Sequence, residues 1–439
     1  MFLEYVNREE VFDSLRNIMK FPSIVSDPLP GMPFGEECAK ALNYALGLAE
    51  KMGFRTVNLD NKVGYAEYGT GDEMIAVLGH LDVVPAGDNW ICKPFDATLL
   101  DGKIYGRGIA DDKGPIIGAL YALQAIVKSG GSLKRRVRII FGSDEEVDCT
   151  DMARYLETEE IPVMAFTPDA EYPAIFSEKG ILYYTISKKV NGLVYAHAGE
   201  AVNQVPDVAT MTFIAEGKEI TVKSSEGRAA HGSTPELGVN AIDSMIKNLK
   251  IAPEFQSADS SLKEFISFYE KYYLDDFYGE KVGMAMSDSE VGANSSNVGI
   301  LFSKGDEIGI KVDFRFIPQY KGETEGRKKL ETLAEENDLV LDIYKIRKAI
   351  YMPKDSGLIR VLQNVFKRNT GIDMEPVAMG GGTYAKFLPN TVAFGPLFPG
   401  EEDSIHQPKE YITEENLFKN INIMADAIFE LANYENSKE

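Results

Sequence analysis

The stretch that decides the fold lies between residues 74 and 146 and begins with the apolar segment MIAVL at 74–78. A second apolar segment, VRIIF, occupies 137–141. Between them a helical pattern begins at Pro115 and ends at the glycine pair 130–131. A further apolar stretch follows at 163–166. Strands separated by helices predict an α/β fold, with a mostly parallel sheet that carries helices on both faces.

The pattern changes near residue 180, where longer alternating segments begin. Residues 181–190, 219–223 and 308–316 read as strands, and 235–249 reads as a helix. These segments predict an inserted α+β domain. Helical patterns begin at Ser356 and at Thr413, the latter with acids in its first turn. With these helices the chain returns to the pattern of its first part.

A chain of 439 residues exceeds what one hydrophobic core usually serves, so two domains are expected. We predict a discontinuous catalytic domain formed by residues 1–180 and 350–439. The inserted domain, a lid over the substrate, is predicted at residues 181–349.

Composition excludes several functional classes. The formal charge of −22 repels phosphate backbones and anionic lipids, so we expect neither nucleic-acid nor membrane binding. The three cysteines are far apart and form no CxxC pair, which argues against a disulfide framework. We find no basic, apolar leader at the start and no apolar run near the ~18 residues of a membrane span. These features predict a cytoplasmic protein.

Three segments with acids or histidines follow predicted strands directly, where parallel sheets usually bind ligands, and two more precede helices. The chain has only four histidines, and His80, His231 and His406 occur in glycine- and acid-rich contexts. Two histidines with several acids suit zinc, manganese or cobalt. The segments concerned are GHLD at 79–82, GRGIADDKGP at 106–115, GSDEE at 142–146, PDAE at 168–171 and SIHQP at 404–408.

Each segment also has a simpler interpretation. His80 is either a metal ligand oriented by Asp82 or a strand-end histidine bonded to a nearby acid. The aspartate pair 111–112 either caps a helix or supplies a carboxylate that bridges two metals. The three acids at 144–146 are either a solvated loop or a metal ligand beside a general base. Their order alone does not say which glutamate has which role.

Together the motifs resemble the aminoacylase/carboxypeptidase superfamily of two-zinc hydrolases. The resemblance covers most of the chain, and PDAEYP with GGGTYA looks most like the bacterial Xaa-His dipeptidase (carnosinase-like) branch. The motifs in family order are GHLDVVP at 79–85, GRGIADDKGP at 106–115, SDEEVD at 143–148, PDAEYP at 168–173, GRAAHGSTPELGVNA at 227–241 and GGGTYA at 380–385.

The resemblance implies two divalent metal ions, zinc first, with manganese or cobalt as alternatives. One ion would be held by His80, Asp111 and Asp169. The other would be held by Asp111, Glu146 and His406, so that Asp111 bridges the two. It further implies that Glu145 is the general base of dipeptide hydrolysis and that Asp82 orients His80.

The same resemblance assigns roles in the inserted domain. His231 would donate a hydrogen bond to the oxyanion after domain closure. Asn203 and Arg315 would contact the substrate, with Arg315 on the carboxylate of a short peptide. Gly381, in the predicted catalytic domain, would let the backbone approach the substrate closely. The inserted domain is larger than the dimerisation domain of many relatives. If this lets one chain supply both the metals and His231, a monomer is favoured over a homodimer.

The sequence leaves two other functions open. An N-acyl amino acid deacylase or desuccinylase of the superfamily would use the same metal chemistry. A non-catalytic peptide-binding relative is disfavoured because every implied ligand and the base are present.

Overall fold

The computed structural model describes residues 2–435, which divide into two compact units. The first unit contains the described residues up to Phe176, then Met352–Val377 and those from Thr383 onward. The second unit contains Ser177–Tyr351 and Ala378–Gly382. The sequence placed the corresponding boundaries at 180/181 and 349/350.

Nine α-helices are present in the described residues. Six belong to the first unit and three, α5 to α7, belong to the second. They are α1 (Arg8–Met19), α2 (Glu36–Lys51), α3 (Lys113–Lys128), α4 (Thr150–Thr158), α5 (Ala241–Ile251), α6 (Ser260–Tyr272), α7 (Arg327–Glu336), α8 (Gly357–Thr370) and α9 (Glu414–Asn433).

Most strands are short in the first unit and long in the second. In chain order they are β1 (Arg55–Leu59), β2 (Val63–Tyr68), β3 (Met74–His80), β4 (Thr98–Leu100), β5 (Lys103–Tyr105), β6 (Arg136–Gly142), β7 (Met164–Thr167), β8 (Ala170–Glu171), β9 (Ile175–Glu178), β10 (Gly180–Lys189), β11 (Leu193–Ala198), β12 (Ala209–Ala215), β13 (Lys218–Ser224), β14 (Ser287–Asp288), β15 (Gly292–Ala293), β16 (Ser295–Lys304), β17 (Glu307–Phe316), β18 (Val340–Arg347), β19 (Ile350–Tyr351), β20 (Val377–Met379), β21 (Thr391–Ala393), β22 (Pro396–Leu397) and β23 (Tyr411–Thr413).

The main sheet of the first unit has strand order β1-β2-β6-β3-β7-β21-β9. Its central strands β6, β3, β7 and β21 run parallel, while β1, β2 and β9 pair antiparallel at the edges. The α/β class is confirmed, and the sheet is mixed with a parallel centre. β3 is buried along its whole length, as expected for a strand covered on both faces.

Helices cover both faces of this sheet. A side chain added at Gly64 would meet Leu42 and Leu46 of α2, and one at Gly79 would meet Ile116 of α3. Residues of alternate parity face the other way, where Ala76 and Leu78 pack in a core cluster with Met152 of α4. Because side chains alternate between the two faces along each strand, α2 and α3 cover one face of the sheet and α4 covers the other.

The second unit is built on a seven-stranded sheet of order β13-β12-β11-β16-β17-β10-β18. Each of its pairings is antiparallel, and α5 packs on β12 and β13 while α7 packs on β18. The predicted helix over 235–249 is wrong at its start. Pro235–Leu237 is a single 3-10 turn, and α5 begins only at Ala241, where the Asn240 side chain accepts from the N–H of Ile242.

Helix starts in the first unit follow the capping signals of the sequence. The Ser356 side chain caps α8, and the Thr413 side chain accepts from the N–H of Asn416 to cap α9. Among residues 2–435 no helix combines the length and the apolar character needed to cross a bilayer.

Candidate active site

One carboxylate of the first unit lies between two histidines. Asp111 Oδ1 is 2.9 Å from His80 Nε2, and Asp111 Oδ2 is 3.0 Å from His406 Nε2. His80 is the last residue of β3, Asp111 lies in the turn before α3, and His406 lies in the segment that leads to β23. A carboxylate whose two oxygens face different imidazoles has the arrangement needed to bridge two cations.

Each histidine also faces a second acid. His80 Nε2 is 3.8 Å from Asp169 Oδ1, and His406 Nε2 is 3.2 Å from Glu146 Oε1. The structure therefore brings together the two groups that the resemblance implies, and Asp111 is common to both. Glu145 lies in the same cluster, because its carboxylate, His80 and Asp169 offer ligand atoms within 4.8 Å of one another.

Burial of this many acids shifts their protonation. Burial, followed by the nearby Asp169, raises the pKa of Glu145 well above its usual range, and burial and Asp111 raise the pKa of Glu146. Burial and Asp111 also raise the pKa of Asp169 to about 7. The pKa of Asp111 is lowered, since the hydrogen bonds with His406 and His80 outweigh its burial.

These residues fit a site for two divalent cations. Four carboxylates face two imidazoles, and a positive charge among them would offset the burial and the mutual repulsion that raise the pKa values of the acids. Oxygen and imidazole donors suit zinc, manganese and cobalt. The cluster thus contains candidate metal-binding residues, while the assignment of each ligand stays a prediction.

Asp82 makes a contact that the sequence did not predict. His80 Nδ1 is 3.0 Å from the backbone oxygen of Asp82 and 3.5 Å from its Oδ1, so the two residues are adjacent as expected. The Asp82 carboxylate, however, accepts hydrogen bonds from the N–H groups of Glu145 and Glu146, at 3.1 and 3.0 Å. Asp82 therefore fixes the glutamate pair as well as neighbouring His80.

Asp112 does not cap α3 through its side chain, which was one interpretation of the aspartate pair. It occupies the N-cap position, but its Oδ2 accepts from the N–H of His80 at 3.1 Å. A Cβ atom on Gly79 would lie 2.1 Å from that oxygen. The glycine before His80 is thus required by the close approach of Asp112, a reason that spacing alone does not reveal.

Tyr384 and Asp151 support the cluster and were not identified from the sequence. The Tyr384 hydroxyl donates to the Asp151 carboxylate, which also accepts from the N–H of Ser143 at 2.7 Å. The Tyr384 ring packs edge-on against His80, with centroids 6.2 Å apart. The motif GGGTYA contains this tyrosine, but from the sequence a role was predicted only for its glycines.

Glu410 was also missed, because the SIHQP segment was read only as far as Pro408. It is fully buried and accepts hydrogen bonds from backbone N–H groups of the turn that carries Asp111. Arg107, which lies in the quoted motif GRGIADDKGP, is the only sequence signal for such an acid. A buried arginine needs a carboxylate partner.

The second unit contains a separate polar cluster. Arg315, at 3% exposure, pairs with Asp313 at 3.0 Å and donates to the backbone oxygen of Gly380 at 2.8 Å. Its guanidinium is 3.5 Å from His231 Nε2, and His231 Nδ1 is 2.7 Å from Ser233 Oγ. The structure thus brings His231 and Arg315 together, with Asp313 balancing the arginine charge.

Asn203 and Gly381 lie beside these residues, since Gln204 forms an isolated bridge with His231 and Gly381 follows Gly380. The backbone oxygen of Asn203 accepts from the N–H of Gly232 at 2.7 Å, which fixes the residue after His231. At Gly381 the space is ordinary, whereas a Cβ atom on Gly380 would lie 2.8 Å from Ser233 Cβ. The close approach therefore occurs at Gly380, and the substrate contacts of Asn203 and Gly381 stay predictions.

Curated relatives match the chain over nearly its full length. A protein of Staphylococcus epidermidis named "Putative dipeptidase" is 34% identical, with 98% of each chain covered. A Bacillus subtilis protein of the same designation is also 34% identical, covering 97% of this chain and 98% of its own. Peptide hydrolysis is therefore the activity that these relatives support.

Solved structures share the fold at low identity. Human carnosine dipeptidase 1 has a TM-score of 0.61 at 14% identity, covering 99% of this chain and 98% of its own. The aminoacylhistidine dipeptidase of Vibrio alginolyticus also has a TM-score of 0.61, at 13% identity, covering 98% and 97%. Peptidase family M20/M25/M40 matches residues 76–430. The chain belongs to this family and is a metallopeptidase, as the motifs in its sequence predict.

Proposed function

We propose that this metallopeptidase hydrolyses dipeptides at the acidic cluster of its first unit, with two divalent cations. The observation that carries the proposal is Asp111, whose two oxygens face His80 and His406. The dipeptidase names of the relatives support the substrate class.

The cations would be held by the two groups that share Asp111. His80, Asp111 and Asp169 would bind one, and Asp111, Glu146 and His406 the other, with zinc as the first choice and manganese or cobalt as alternatives. Bound there, such ions would polarise the scissile carbonyl and make an attacking water more acidic. Asp82 would keep this set in order through its contacts with His80 and with the N–H groups of the glutamate pair.

Glu145 is proposed as the general base. Its pKa is raised by burial and by Asp169, and a base with a raised pKa accepts a proton more readily at neutral pH. Glu145 would take a proton from the attacking water and deliver it to the leaving nitrogen as the carbon–nitrogen bond breaks. The reaction then yields two amino acids and returns Glu145 to its ionised form.

Residues of the second unit are proposed to bind the substrate. The imidazole of His231 would stabilise the oxyanion, and the Arg315 guanidinium lies 3.5 Å from its Nε2. Arg315 would also attract the free carboxylate of a dipeptide, with Asn203 and Gly381 as further contacts. Since one chain contains all of these residues, we propose that it acts as a monomer.

A substrate panel separates this function from the deacylase alternative. Unblocked dipeptides, tripeptides and N-acyl amino acids are assayed with added zinc or manganese, and product amino acids are quantified. We expect dipeptides to be cleaved fastest. If N-acyl amino acids are cleaved and dipeptides are not, the chain is a deacylase. If no substrate is cleaved with either metal, the catalytic proposal is wrong.

A further inference from the structure

Glu410 binds the backbone of the turn that carries Asp111. Its carboxylate is fully buried and accepts from the N–H groups of Gly108 at 3.0 and 3.1 Å, Ala110 at 2.9 Å and Asp111 at 3.3 Å. The Arg107 guanidinium donates to the same carboxylate at 2.6 Å. Three backbone donors and one cation thus converge on a single side chain.

The same residue also belongs to the segment that carries His406. Glu410 lies four residues after His406, and its backbone oxygen accepts from the N–H of Gly106 at 3.1 Å. Within that segment its own N–H donates to the Gln407 oxygen at 3.1 Å. Side chain and backbone of Glu410 therefore connect two parts of the chain that lie about three hundred residues apart in sequence, and each part contributes one residue of the Asp111–His406 pair.

We propose that Glu410 is a positioning residue, which sets the orientation of Asp111 relative to His406 and thereby determines cation affinity. The proposal rests on the two-cation function proposed above. Glu410 would touch neither cation nor substrate. It would act through the backbone of residues 108–111, by holding the Asp111 carboxylate in the place where it faces both histidines.

A charged acceptor is needed for this role. Backbone N–H groups that point at one site bind a carboxylate well, because both of its oxygens accept and its charge strengthens each bond. A glutamine offers only one oxygen and turns an NH₂ group toward the same donors. It also leaves the buried Arg107 without its counter-charge. Loss of such an outer contact typically weakens metal binding about ten- to a hundredfold.

The test compares Glu410→Gln with a matched variant, Glu67→Gln. Glu67 is also a buried glutamate of the first unit, at 7% exposure, and it pairs with Arg55 at 2.6 Å and Arg138 at 2.7 Å. It lies outside the acidic cluster. Zinc affinity and stoichiometry are measured on the full chain by competition with a chelating dye, and thermal unfolding is measured on the metal-free protein.

We expect both variants to unfold at lower temperature, because each removes a carboxylate partner of a buried arginine. Only Glu410→Gln should bind zinc about ten- to a hundredfold more weakly. Amide hydrogen exchange of the metal-free protein should also become faster in peptides covering 106–112 in Glu410→Gln alone. If Glu410→Gln does not fold, Glu410→Asp takes its place, since it keeps the charge but is one methylene shorter. It should show smaller changes of the same kind in zinc affinity and in amide exchange.

The outcomes distinguish this role from the function on which it rests. Zinc affinity equal to that of the wild type in folded Glu410→Gln or Glu410→Asp would show that Glu410 is merely structural. The same conclusion follows if Glu67→Gln weakens zinc binding equally. A wild-type chain that binds no zinc, manganese or cobalt would instead contradict the two-cation function, and the positioning role with it.

Discussion

The acidic cluster of the first unit and the Arg315 cluster of the second differ in charge balance. In the first, Asp111, Glu145, Glu146 and Asp169 face only two imidazoles, and the pKa values of three of these acids are raised. In the second, the buried guanidinium of Arg315 is paired with the buried carboxylate of Asp313. One cluster has an excess of negative charge and the other is neutralised by its own residues.

This difference indicates what each cluster requires. Buried acids that repel one another cost free energy unless a cation is added, so the first cluster is suited to binding metal. A buried ion pair that is already satisfied keeps its geometry without a ligand. The second cluster is therefore suited to presenting a fixed imidazole and guanidinium. If this is so, metal binding depends on the first cluster alone, and variants of the second cluster leave metal content unchanged.

Removal of divalent cations should abolish dipeptide hydrolysis. The acidic cluster would supply the proposed base, and bound cations would polarise the carbonyl and make the water more acidic. Exhaustive chelation followed by removal of the chelator should give inactive protein, and zinc, manganese or cobalt should restore the rate. Metal content is verified by elemental analysis. Full activity in verified metal-free protein would contradict the proposed mechanism.

Glu145→Gln should lower turnover by ~10²-fold or more, because the amide cannot accept a proton. Metal content should stay unchanged, since Glu145 is proposed as base and not as ligand. Glu157→Gln, at an exposed position of α4, is the control and should leave both quantities as in the wild type. Loss of metal from Glu145→Gln would mean that the roles of Glu145 and Glu146 are exchanged.

The sequence indicated which residues would meet in the acidic cluster because several of them follow buried strands. β3, β6 and β7 are parallel neighbours, so the residues after their last positions converge at one edge of the sheet. That Asp111 is the bridging residue and that His406 shares it followed only from the family resemblance. Their own segments are turns, and periodicity gives no information about where a turn lies.

Supporting residues were harder to predict because their partners are remote in sequence. Glu410 contacts Gly108, and Tyr384 contacts Asp151, across 302 and 233 positions. Neither residue differs in local pattern from an ordinary polar or aromatic residue of a loop. The short turn at Pro235 was similarly ambiguous, since a proline followed by an acid also begins many α-helices.

His231→Ala should lower turnover about 10²- to 10³-fold if the imidazole stabilises the oxyanion. Metal content should be unaffected, because His231 belongs to the neutral cluster. His197→Ala removes the partly exposed histidine of β11 in the same unit and should have no effect on the rate. A His231→Ala enzyme with normal turnover would remove this residue from the mechanism.

Whether each chain uses its own His231, as the proposed monomer requires, is tested with the same variant. Inactive Glu145→Gln and His231→Ala chains are mixed after reversible dissociation, and the rate is compared with that of each chain alone. A monomer should show no recovery. Recovered activity in the mixture would mean that His231 of one chain serves the base of another.

The smallest effect is expected at Arg315. This residue either binds the substrate carboxylate or only holds His231 in place. If the guanidinium attracts the substrate carboxylate, unblocked dipeptides should exceed their C-terminal amides about ten- to a hundredfold in kcat/KM, the value of one charge-assisted contact. Arg315→Lys keeps a charge but loses the planar fork that holds both Asp313 and the Gly380 oxygen, so this ratio should fall. The ratio is informative even in a destabilised protein, because a loss of folded enzyme lowers both rates equally. If Arg315→Lys lowers both rates and leaves the ratio intact, Arg315 serves to hold His231, its neighbour at 3.5 Å, and the carboxylate is bound by another residue.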